Sequence, residues 1–154
     1  MKHGFTLIEL MIAITVIGIL ITMGASAYGQ ARERQAGQSA VELIISTLQS
    51  NQTLASIGKK DCDGKFIGQE VNLTVPNTIT AHAVCENEQG ADIITSVPDI
   101  TFAAPSSLMF KPLSLGIDLG SPSSETTLSF TSTAQLVYQV KVTSSGTIEY
   151  LGIQ

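Results

Sequence analysis

From residue 5 to residue 23 the chain is leucine, isoleucine, valine, methionine, alanine and one phenylalanine, interrupted only by Thr6, Glu9, Thr15, Gly18 and Thr22. No polar face recurs at helical spacing. A helix that is apolar on every side needs burial on every side. Nineteen residues at 1.5 Å each would reach about 29 Å, close to the hydrocarbon thickness of a bilayer. From residue 26 the chain turns to Ala, Gln, Arg and Glu, with no proline to end a helix. Val41, Ile44, Ile45, Leu48 and Ala55 then recur at i, i+3, i+4 spacing, with Leu54 and Ile57 close by and Ser39, Glu42, Ser46, Gln49 and Gln52 between them. The pattern predicts one helix running to about Ile57, its second half amphipathic. Gly58 follows in the position of a C-cap, with Lys59 and Lys60 suiting a helix C-terminus. Gly24, Gly29 and Gly37 each weaken this helix by roughly 1 kcal/mol relative to alanine.

Beyond Gly58 the apolar period shortens to two, and Gly, Ser, Thr, Asn and Pro become frequent. Strands are predicted over residues 66–75, 79–85, 93–103, 108–113, 126–131, 136–143 and 147–153. Breaks fall at Pro76-Asn77, Pro98-Asp99, Pro105-Ser106 and Gly120-Ser121-Pro122. The last two strands alternate most cleanly, through Leu136, Tyr138, Val140 and Val142 and then Ile148 and Tyr150, with a short hairpin loop at Ser144-Ser145-Gly146. The expected fold class is α+β: a long N-terminal helix whose amphipathic half packs on a mostly antiparallel β-sheet head.

Glu9 does not belong in its surroundings. An ionisable group at membrane depth costs roughly 2.5–3.5 kcal/mol on insertion scales, which marks it as functional and demands a partner. If the chain is cut between Gly4 and Phe5, the new amine at Phe5 lies four residues before Glu9, on the same helix face. Cleavage would create the cation that the carboxylate lacks, within one chain or between copies.

The string Lys2-His3-Gly4-Phe5-Thr6-Leu7-Ile8-Glu9-Leu10-Met11, followed by the apolar residues 14–21, resembles the type III signal of type IV pilins and pseudopilins. The resemblance implies that prepilin peptidase cuts after Gly4, that Phe5 is N-methylated, and that Glu9 docks the subunit onto a growing filament. It implies a leader at 1–4, a transmembrane and filament-core helix at 5–27, an amphipathic half at 28–57 and a β-rich head at 58–154. The implied partners are other pilin or pseudopilin subunits, prepilin peptidase, an inner-membrane assembly platform, and membrane lipid before assembly. The implied location is the inner membrane, single-pass, with the head outside the cytoplasm, and afterwards a periplasmic pseudopilus or a surface pilus. Many pilins carry a proline shortly after the membrane segment; here Met23-Gly24-Ala25-Ser26-Ala27-Tyr28-Gly29 has none.

A second resemblance lies in the head. Phe110-Lys111-Pro112, Thr126-Thr127-Leu128-Ser129-Phe130, and Val140-Lys141-Val142 with Gly146-Thr147-Ile148 are similar to the β-domain of H-type minor pseudopilins and FimT-like minor pilins. The glycine usual after the first of these segments is displaced here, to Gly116.

Other readings of the N-terminus stand beside these. Lys2 with the small residues Ala25-Ser26-Ala27 fits an ordinary signal peptide cleaved after Ala27, which would release a secreted, soluble, acidic binding domain. Against it, the apolar run exceeds the usual 7–15 residues of such a peptide, and Glu9 is left without a role. A plain single-pass anchor leaves Glu9 equally idle. Lys2 and the initiator amine on one flank balance Arg32 and Arg34 on the other, so topology does not follow from positive-inside counting.

Length and charge narrow the rest. At 154 residues the chain holds one domain of modest core, with a net charge of −5. An acidic exported surface repels phosphate backbones, so no nucleic acid is expected as a partner. A DNA-uptake minor pilin would need a basic distal surface, and no Lys or Arg follows Lys141. Cys62 and Cys85 suit a disulfide in an oxidising compartment, two unrelated thiols being the alternative.

Catalytic and ligand motifs are thin. Asp61-Cys62-Asp63-Gly64 starts like a calcium loop but lacks the later acceptors, and reads as a polar turn. Glu86, Glu88, Asp92 and Asp99 could together take up calcium, as some pseudopilin heads do; a solvated acidic edge is the simpler reading. His82, within a predicted strand, reads as a surface residue rather than a ligand or base. No phosphate loop, serine elbow or Cys/His pair is present. The chain is not expected to be an enzyme or to need a cofactor or metal.

Overall fold

The computed structural model describes residues 6–120 and 122–154, leaving aside the side chains of residues 23–27 and 114. Helix α1 (Leu7–Ser56) is followed by β1 (Phe66–Thr74), β2 (Thr78–Cys85), β3 (Ile93–Ser96), β4 (Ile100–Phe102), β5 (Ser106–Phe110), a 3₁₀ turn (Pro112–Ser114), β6 (Ile117–Asp118), β7 (Glu125–Ser132), β8 (Val137–Thr143) and β9 (Ile148–Ile153). Two sheets result, in the orders β3-β2-β1-β5-β6 and β4-β7-β8-β9, and every pairing is antiparallel. The class is α+β. Contacts divide the chain into two compact units, residues 1–35 and 36–154.

The helix ends where its backbone can turn left-handed. Gly58 has φ +67°, and the Gly58 and Lys59 amides donate to the carbonyls of Ala55 and Leu54. These paired bonds form a Schellman motif, which satisfies carbonyls that the last turn would otherwise orphan.

In the second unit the helix stripe meets both sheets. Val41, Ile44, Leu48 and Ala55 share one core cluster with Val71, Leu73, Ile79, Leu108 and Phe110 of the first sheet, and with Leu128, Phe130, Tyr138, Val140 and Val142 of the second. Strand alternation supplies those residues: on β8 every second side chain, from Tyr138 to Val142, is fully buried. Phe102 and Phe130 meet edge to face at 5.4 Å, a geometry favoured by the ring quadrupoles. At Gly37 the helix presses against Tyr138. A Cβ there would lie 2.6 Å from the ring carbon bearing the hydroxyl, well inside van der Waals contact.

Three strand boundaries depart from the sequence reading. Residues 93–103 are not one strand: β3 pairs with β2, whereas β4 pairs with β7 in the other sheet. Pro98 has no amide for a ladder, and Asp99 at φ +63° turns the chain from one sheet to the other. The strand expected over 108–113 stops at Phe110, because Pro112 begins the 3₁₀ turn. The short β6 closes the sheet edge beside β5 and had no counterpart in the pattern; two residues are too few to show a period.

A smaller cluster holds Cys62, Ala83 and Cys85 with Phe66 against them, and the sulfurs of Cys62 and Cys85 are bonded. The bridge closes a loop with a sequence separation of 23.

Gly37→Ala should destabilise the head by ~1–3 kcal/mol through overpacking against Tyr138. Gly29→Ala, with open space around the added methyl, should leave the head's urea midpoint unchanged when the detergent-solubilised chain is unfolded under circular dichroism. Replacing Cys62 and Cys85 together by serine should lower stability by about 3 kcal/mol in the chain-entropy model, read by the same titration.

Candidate functional site

The first turn of α1 is built by Thr6. The Glu9 amide lies 3.1 Å from the Thr6 carbonyl and 3.4 Å from its hydroxyl oxygen. With Thr6 at the N-cap, Glu9 stands at the third helical position, where a carboxylate also meets the favourable end of the helix dipole. Its side chain is exposed. Among the described residues no cation pairs with it. Gly4 and Phe5, the pair expected to be cut and methylated, lie outside the described residues.

Glu9 is alone of its kind in its stretch. The Thr15 and Thr22 hydroxyls donate to the carbonyls of Ile12 and Ile19, both at 2.8 Å, so these polar groups are satisfied inside the helix. Between them the large apolar side chains from Leu7 to Ile21 stand 49–77% exposed. Such a surface requires an apolar neighbour on all sides. Among the described residues no helix is long and apolar enough to cross a membrane.

In the head, His82 corrects the sequence reading: it is not a surface residue but is 7% exposed. The cause is a fold-back. After β2 the chain returns along that strand, the Cys85 amide donating to the Glu88 carbonyl and the Gly90 amide to the Ala83 carbonyl. This brings Asp92 Oδ1 to 3.1 Å from His82 Nδ1, while Glu70 Oε2, directly across the β1–β2 ladder, lies 3.3 Å from Nε2. Glu70 also accepts the Ser107 hydroxyl at 3.0 Å. Periodicity put Glu70 and His82 on strands without joining them. The available signal was the turn at Pro76, about which residues 70 and 82 are symmetric.

The acidic residues considered for calcium are dispersed. Asp92 is taken by His82; Glu88 accepts the Asp63 amide at 2.7 Å, and Asp61 accepts the Ala91 amide at 3.0 Å. Among the described residues no three His, Cys, Asp or Glu side chains gather as a metal would need. Two lysines of the head face carboxylates: Lys141 on β8 lies 2.6 Å from Glu125 on β7, and Lys111, just after β5, lies 3.7 Å from Asp118 on β6. The hydrogen bond to Glu125 holds the Lys141 ammonium above the ordinary lysine range.

No curated protein and no solved structure matches the chain. A family model described as the prokaryotic N-terminal methylation motif matches residues 1–25. This short polar start, with its glycine, phenylalanine and in-helix glutamate, gives the chain the N-terminal signature of the type IV pilins.

Proposed function

We propose that this chain is a structural filament subunit, a minor pilin or pseudopilin of a type IV pilus or of a type II secretion pseudopilus. Prepilin peptidase removes residues 1–4, and Phe5 is N-methylated. Before assembly the helix of residues 5–27 lies in the inner membrane with the head outside the cytoplasm. An assembly platform then draws the subunit into a periplasmic or surface filament cored by these helices.

The observation that carries this reading is a single exposed carboxylate, Glu9, in a stretch of α1, Leu7 to Ile21, whose large side chains are otherwise apolar and exposed. Lipid and neighbouring helices are similarly apolar, so exchanging one for the other changes bulk affinity little. A charge pair between Glu9 and the Phe5 amine of a neighbour adds what the apolar surface lacks, a defined register. The disulfide supports an oxidising compartment for the head. The net charge of −5 supports a partner other than nucleic acid. A motif of this type points to a structural protein rather than an enzyme.

N-terminal sequencing of the mature protein tests the reading directly. The expected first residue is N-methylated Phe5; a start at Tyr28 would identify a secreted soluble domain, and an intact Met1 a plain anchor. Gly4→Leu should leave uncleaved precursor visible on a gel. Glu9→Ala should insert and be cleaved normally, yet enter sheared filaments about tenfold less well or worse, the equivalent of ~1.4 kcal/mol. Wild-type recovery of that variant in filaments would remove Glu9 from the mechanism.

A further inference from the structure

His82 is a buried titratable group that filament assembly leaves without a task. Neither ring nitrogen has the alignment of a hydrogen bond, although each lies within ion-pair distance of a carboxylate. The two carboxylates are held to different degrees. Glu70 sits on β1, a strand paired on both sides, and is anchored by Ser107. Asp92 is 58% exposed and ends the fold-back that leads into β3.

Other charges near the ring belong to the segment after α1. Lys59, Lys60 and Asp61 share with His82 a cavity of about 130 Å³. Lys60 is bonded to the Gly64 carbonyl, and Asp61 to the Ala91 amide. On the other side the ring borders a cleft of about 590 Å³, whose one other titratable lining residue, among the described residues, is Asp92.

A neutral imidazole has one N–H and one lone pair; an imidazolium has two N–H groups. Between two carboxylates the neutral ring can serve one and turns a lone pair toward the other. The charged ring attracts both.

We propose that His82 is a proton-operated clasp on the edge strand β3. When charged, it ties Asp92 to Glu70 across β2; when neutral, it releases Asp92. Asp92 is the partner that leaves, because it can turn into water while Glu70 is held between two strands. The fold-back itself stays pinned by the Cys62–Cys85 bridge and by the Asp63–Glu88 and Asp61–Ala91 bonds. Release is therefore confined to residues 92–96, which pair only with β2. They include Ile93 and Ile94, exposed by 61% and 68%, so the clasp governs how firmly an apolar sheet edge is held. The sign follows from the charge: gain of the second ring proton closes the clasp and its loss opens it, so the lower of two pH values favours the closed state.

Hydrogen exchange of the full chain in detergent tests this at about pH 5.5 and about pH 7.5, with rates corrected for the intrinsic effect of pH. Protection of residues 92–96 should be about threefold or more higher at the lower pH, while β1, β7 and β8 remain unchanged. Asp92→Asn, an exposed and conservative change, should flatten the difference at residues 92–96. Equal protection at both pH values, an undiminished difference in Asp92→Asn, or a change of the same size throughout the head would overturn the clasp.

Discussion

A helical stretch with apolar side chains on every side has no surface to give to water, and this constraint governs the start of α1. From Leu7 to Ile21 the large side chains are exposed all around. The two threonines that interrupt them spend their hydroxyls on their own helix. The hydrophobic effect, at about 25 cal/mol per Å² of apolar surface, makes leaving such a helix in water untenable. Lipid and like helices both satisfy it, and neither distinguishes one rotational or axial position from another. A carboxylate at Glu9 is costly in either setting unless a cation meets it. A group that is costly everywhere except beside one partner is well suited to choosing that partner.

The head solves a different problem. Its two sheets each have one apolar face, and the stripe of Val41, Ile44 and Leu48 lies in a single core with both. A small residue on the helix is as necessary to that core as the large ones: Gly37 leaves the room that Tyr138 fills. The second, smaller cluster around Cys62 and Cys85 has too little apolar area to hold its loops alone. There the covalent bridge, with the Asp61 and Glu88 side chains accepting backbone amides, does what a larger core would otherwise do.

The polar outer side of the first sheet shows how a site can arise beside a core. His82 points away from Ala81 and Ala83, which belong to the apolar face, and alternation alone would have left it in water. The returning chain covers it and supplies the second carboxylate. A buried ring with two acidic neighbours is a costly arrangement for a purely structural residue, and its proton count sets how many neighbours it can satisfy.

What the sequence alone determined is what depends on near neighbours. The apolar run, the stripe ending at Gly58, the alternation on β8 and the Gly4-Phe5…Glu9 spacing are all carried by residues a few positions apart, and local physics reads them. Only the tertiary structure decided what depends on distant ones. Residues 93–103 divide between two sheets because each half finds a different partner strand. The two-residue β6 exists only because β5 offers it an edge. His82 is buried because ten residues later the chain comes back with Asp92. Pairing and burial are set by which segments meet, and a periodic pattern describes the faces of an element without naming what will cover them.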